Sequence, residues 1–167
     1  METMASFRAN HGGGYQYRLC PLAKPTEECF RETPMPFVGN SKLSLADGSM
    51  IELDSVDVSN GTLPVGGTWR MLAIPDVAGA ATGKGSDVWA FEPPCYEPGY
   101  PDHPPIFPNQ ANCTGDWSHN ITMYDYLRVP EHLAPGDYVL GFRWDCETSA
   151  QVWQSCADVK ITAAQTP

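Results

Sequence analysis

Residues 134–161 read APGDYVLGFRWDCETSAQVWQSCADVKI, and how this stretch folds decides the class of the whole chain. From 137 to 145 the side chains of Tyr138, Leu140, Phe142 and Trp144 fall on one face of an extended segment, with Val139, Gly141 and Arg143 on the other. That alternation predicts a half-buried β-strand. After Cys146 the polar run Glu147-Thr148-Ser149-Ala150-Gln151 turns the chain. Ala157, Val159 and Ile161 then restore the alternation, with Asp158 and Lys160 facing out. Cys146 and Cys156 are expected on opposite sides of that one turn, placed to close it with a disulfide.

Shorter pieces of the same pattern recur along the chain. Tyr15, Tyr17 and Leu19 alternate with Gln16 and Arg18 and run into Cys20. Asp47-Gly48 between the runs 42–45 and 50–53 is a hairpin signal, and Asn60-Gly61 marks another turn. Residues 68–74 (TWRMLAI) and 124–129 (YDYLRV) read as strands, 6–10 as the end of one, and a single helical turn is expected around 27–31. Residues 77–87 are small and glycine-rich, a surface loop. Residues 91–119 hold too much proline for a central strand or helix. With 167 residues and no long segment of helical period, the expectation is one all-β domain over 1–167. Its expected form is an immunoglobulin/fibronectin-III-like β-sandwich with long disulfide-tied loops.

A net charge of −10 offers no basic stripe to replace the counterions of a nucleic acid, and it disfavours an anionic membrane surface. A neutral ligand such as a polysaccharide is compatible with it, and a monomer is expected. Six cysteines without a CxxC pair argue for a disulfide framework in an oxidising compartment, hence a secreted, extracellular protein. Pairing of nearest neighbours (Cys20 with Cys29, Cys95 with Cys113, Cys146 with Cys156) is preferred because each pair brackets a short polar or Pro-rich loop. Sequons at Asn60, Asn112 and Asn120 agree with export. The start METMASFRANHGGG does not have the form of a signal peptide. The chain is therefore expected to be a fragment, or a gene product missing its first exon, that lacks N-terminal strands, and to be poorly stable alone.

No GxSxG or HExxH occurs, and Asp137 with Asp158 or Glu92 with Glu97 give no separation that would define a glycosidase pair. His103, His119 and His132 lie in loops at no ligand-like spacing and are read as surface residues. Tyr96, Tyr100, Phe107 and Trp117 in the long loop are candidates for stacking on sugar faces or for packing that loop down. His11 stands apart, uncrowded at the head of a glycine run that leads into a strand.

The closing segment, with APGDYVL followed by QVWQSCADV, resembles the last strands of the copper-dependent lytic polysaccharide monooxygenases. The opening segment, NHGGGYQYRLCP, is similar to the region around that family's second copper-binding histidine. The resemblance implies oxidative cleavage of chitin or cellulose by one copper ion held in a histidine brace, the amino group and imidazole of an N-terminal histidine plus a second imidazole. It places His11 as the second imidazole and Trp153 where the family usually has an axial Tyr or Phe. Gln151 falls on a glutamine that hydrogen-bonds bound oxygen species in one fungal branch. Nitrogen ligands in a plane suit Cu(II). Residue 1 is Met and no His precedes His11, so the brace is incomplete as written and its first histidine is expected upstream. The rival expectation is a non-catalytic module of the same fold that binds polysaccharide or copper.

Overall fold

The computed structural model describes residues 1–6, 12–44, 50–72, 122–147 and 149–163. They form nine strands and one short helix: β1 (Glu2–Ser6), β2 (Gly14–Pro21), α1 (Glu27–Glu32), β3 (Ser41–Ser44), β4 (Met50–Leu53), β5 (Asp57–Val58), β6 (Trp69–Met71), β7 (Thr122–Tyr126), β8 (Gly136–Asp145) and β9 (Val152–Ile161). Two antiparallel sheets, in the orders β1-β7-β3-β4 and β5-β6-β2-β8-β9, enclose one core. Leu43, Leu53, Met123 and Leu127 enter it from the first sheet, and Tyr15, Tyr17, Leu19, Leu140 and Trp144 from the second. The all-β sandwich expected from the alternation is the fold.

The strand predicted over 137–145 is β8, with Tyr138, Leu140 and Trp144 buried on its core face, but Val139 and Gly141 on the other face are buried as well, so it is covered on both faces over 138–141 rather than half-buried. β2 lies between β6 and β8 with both faces covered, so Gln16 and Arg18 are as buried as Tyr15 and Tyr17, with which they alternate. Each finds a partner: Gln16 Nε2 donates to Thr68 O at 3.2 Å, and Arg18 Nη1 to Glu27 Oε1 at 2.7 Å. Burial alone would raise the Glu27 carboxyl, but the hydrogen bond and charge of Arg18 outweigh it and hold the group below its ordinary value.

Helix α1 covers the outer face of this sheet. Thr26 caps it through the Cys29 amide, and the Cys20–Cys29 disulfide ties it to β2 as the spacing predicts. Its Phe30 ring sits so close to β8 that a side chain at Gly141 would meet it at 3.0 Å.

The expected Cys146–Cys156 closure is not formed. The turn ends at Gln151, β9 begins at Val152, and the register sets Cys156 opposite Gly141, while the Cys146 amide bonds Gln151 O. Five residues of extended strand, about 17 Å at the rise of a β-strand, separate Cys156 from the position facing Cys146. The Cys95–Cys113 expectation lies outside the described residues.

The sheets are also joined by a buried polar cluster. Asp125 on β7 accepts from Ser41 Oγ on β3, from Tyr15 OH on β2 at 3.2 Å and from Arg70 Nη1 on β6 at 3.4 Å. Arg70 spends its other donors on a bidentate pair with Asp57 (2.7 and 2.9 Å) and on Gly39 O, and lies 4.2 Å from the Phe37 ring centroid. Burial raises the Asp125 carboxyl above its ordinary range against the hydrogen bond from Ser41 and the charge of Arg70. A carboxyl raised on folding favours the native state at low pH, and that stabilisation is lost as pH rises through the folded-state value. Asp125→Asn is insensitive to this titration. Its destabilisation, measured by urea unfolding, should be larger at pH 4 than at pH 7, by about 1.4 kcal/mol for each pK unit of the shift.

Candidate functional site

Three strand termini meet at one end of the five-stranded sheet. Gly14 opens β2 opposite Asp145 at the close of β8, and Asp145 is opposite Val152 at the opening of β9. The two sequence blocks that lie at opposite ends of the chain therefore share one corner of the fold.

The corner is fastened through glycine backbone. Trp144 Nε1 donates to Gly12 O at 2.7 Å, and Leu72 N to Gly13 O at 2.8 Å. Gly13 N donates to Glu147 Oε2 at 3.3 Å. Gly12 and Gly13 hold φ of +61° and +82°, in the left-handed region that side chains disfavour. At Gly13 a Cβ would also fall 2.0 Å from Asp145 O and 2.8 Å from Glu147 N, so the β8–β9 turn can close over this residue only because it has no side chain. The sequence hinted at this in the glycine run, but Trp144 and Glu147 as its clamps are visible only in the fold.

Other chain ends arrive at the same corner. Ser6 at the end of β1 is paired with Thr122 at the start of β7, their hydroxyls 2.8 Å apart. His11 lies outside the described residues, as do His103, His119, Tyr96, Tyr100, Phe107 and Trp117. Its chain neighbour Gly12 is the residue that Trp144 holds.

Gln151 and Trp153 are brought to this corner by the β9 register. Gln151 is exposed at the end of the turn, with its Oε1 3.3 Å from Ser149 Oγ. Trp153 is opposite Trp144, on the same face of the sheet, but Trp144 is buried and Trp153 is 50 % exposed. Trp153 is thus not part of the core, and its ring stands at the rim of a cleft of about 890 Å³ between β1 and the inner face of β8 and β9. Met4, Ala5, Phe142, Ala157 and Val159 also line this cleft.

His132 is on the surface, as expected. Asp137 stands opposite Lys160, and Asp158 opposite Val139, at the far end of the hairpin from this corner. Asn60 of the first sequon is exposed in its turn. Among the described residues no three His, Cys, Asp or Glu side chains gather into a metal-sized group.

Comparison with known protein families, with curated proteins and with solved structures finds no match to this chain.

Gly13→Ala should cost at least about 2 kcal/mol, because it adds both a left-handed strain and an overlap with backbone that side-chain motion cannot relieve. Urea unfolding followed by tryptophan fluorescence checks this. Gly61→Ala, at φ +73° with nothing near its Cβ, is the control for strain alone and should cost less.

Proposed function

We propose that this chain is a lytic polysaccharide monooxygenase-like domain, secreted into an oxidising compartment, whose oxidative cleavage of chitin or cellulose uses one copper ion held by His11 together with an N-terminal histidine, a ligand that Met1 does not supply. The observation that carries this reading is the bond from Trp144 Nε1 to Gly12 O, 2.7 Å long across 132 positions of sequence. It joins the two blocks that resemble the family, and it does so beside the residue that would be the ligand. A site built from remote segments needs such fastening, because a ligand misplaced by about 1 Å is no longer a ligand in the right geometry.

Bound copper would supply the one-electron activation of O₂ or H₂O₂ that cleavage of an unactivated C–H bond requires. The chain's own residues have simpler tasks. Trp153 provides an apolar wall at the rim, Gln151 an amide able to donate to an oxygen species, and Gly12 and Gly13 the fixed approach to His11. The Cys20–Cys29 disulfide agrees with an oxidising compartment.

A second reading is favoured by one observation, the half-exposed Trp153 beside an apolar cleft. An exposed ring there suits the flat apolar face of a sugar, and a non-catalytic polysaccharide-binding module of the same fold would use it in that way.

Copper titration with EPR separates the readings. In a form of the chain that begins with histidine, the first expects tight Cu(II) binding with a nitrogen-ligand signature, weakened at least about a hundredfold in His11→Ala, and oxidised oligosaccharides by mass spectrometry when a reductant is added. Copper binding unaffected by His11→Ala would overturn it. The second expects retention on insoluble chitin or cellulose without tight copper, reduced roughly three- to tenfold in Trp153→Ala. Because that ring is half exposed, the same variant should keep its melting temperature within a few degrees.

A further inference from the structure

Among the described residues the two sheets end on four edge strands, β1 and β4 in one and β5 and β9 in the other. β5 has two residues and β4 four, and β1 has five with Glu2 among them. β9 has ten, paired without interruption to β8, and its first six residues, VWQSCA, carry no charge. Its residues 152–158 are all exposed. Long, regular, uncharged edges present a row of open backbone donors and acceptors, and proteins that stay monomeric interrupt them with charge, proline or a bulge. β9 has none of these over its first six residues.

We propose that β9 is a homodimerisation edge, on which the β9 strand of a second copy of this chain adds antiparallel about Cys156 and is locked by a Cys156–Cys156 disulfide. The strand is complementary to itself in this register. Pairing residues 152–160 around Cys156 sets each Gln154 opposite the second copy's Asp158, an amide donor facing a carboxylate. It sets Lys160 opposite Val152, so no like charges meet. On the other face each Trp153 lies opposite the second copy's Val159, an aromatic and β-branched pair of the kind that stabilises neighbouring strands. A two-fold centred instead on Ala157 would bring Cys156 against Asp158 and Gln154 against Lys160. One centred on Asp158 would set two carboxylates face to face.

Cys156 is an exposed thiol, and no other described cysteine can reach it without unpairing β9. The disulfide forms by exchange with a small oxidised thiol such as oxidised glutathione. One Cys156 thiolate attacks the oxidant and releases one reduced thiol, and the second Cys156 attacks the mixed disulfide and releases the other. Two electrons pass to the oxidant, and the two thiol protons leave with the released thiols. The two-fold axis is perpendicular to the sheet, so the clefts beside β9 in the two copies open on the same side and join into one trough floored by both β9 strands. This dimer departs from the monomer expected from sequence and does not depend on the copper reading.

Light scattering, non-reducing electrophoresis and peptide mass spectrometry of the whole chain with oxidised glutathione test the lock. The expected result is a covalent dimer whose cross-linked peptide joins Cys156 to Cys156. Cys156 joined instead to Cys95, Cys113 or Cys146 of the same chain overturns the proposal. Sedimentation equilibrium of Cys156→Ser, with its fold checked by circular dichroism, tests the edge itself. A reversible dimer is expected, and a monomer at every concentration overturns it. In that background Gln154→Glu places two carboxylates opposite Asp158 and should weaken association roughly three- to tenfold, while Gln154→Lys should strengthen it. The reverse order, or no effect of either, rules out this register.

Discussion

The two sheets are held to each other at one buried carboxylate. Asp125 comes from the four-stranded sheet, yet two of its partners, Tyr15 and Arg70, come from the five-stranded one. Taking a carboxylate out of water is costly, and the cost is met only while every partner is in place. Arg70 is the pivot, because the same guanidinium also holds Asp57 on the outermost strand and lies against Phe37. An apolar core tolerates small slips between sheets. This cluster does not, since a one-residue register slip of β6 turns Arg70 to the other face and leaves the buried Asp125 without its cation and the exposed Asp57 without its bidentate partner. The sandwich is therefore closed tightly where β2 and β6 face β3 and β7.

Away from that cluster the closure loosens. Among the described residues the four-stranded sheet stops at β1, and the five-stranded sheet continues one strand further to β9. The cleft and the half-exposed Trp153 lie at this β9 side of the sandwich. The corner at Gly12, Gly13 and Trp144 lies where the tight and loose halves adjoin.

What the sequence disclosed depended on how many faces of a strand are buried. β8 was readable because Tyr138, Leu140 and Trp144 alternate on its core face, although Val139 and Gly141 on the other face are buried as well. β2 was readable as a strand, but Gln16 and Arg18 were assigned to a polar face that does not exist, since a central strand covered on both sides can hold polar residues wherever each has a partner. The first half of β9 was missed for the opposite reason. With its residues exposed on both faces, no hydrophobic alternation is required, and a Cys146–Cys156 disulfide was expected across the 147–151 turn that the register forbids. β1 was missed because only Thr3 is fully buried in it, and its place comes from pairing with β7. The local loop of Cys20 and Cys29 was legible, since nine positions and a capped helical turn leave few other arrangements.

The order of strands in the larger sheet sets a constraint on how the chain is made. β2, its central strand, is complete at Pro21, whereas its neighbour β8 is complete only at Asp145. At about 5–20 residues per second of synthesis, β2 waits roughly 6 to 25 s for that neighbour. Through that interval Tyr15, Tyr17 and Leu19 lack one of the strands that will flank them, and among the described residues the covalent aid is the early loop between Cys20 and Cys29. Folding of this protein is consequently a late event, governed by the arrival of its last hairpin. An early halt in translation leaves behind a segment with both apolar side chains and unpaired backbone, a substrate for chaperones rather than a partly working domain.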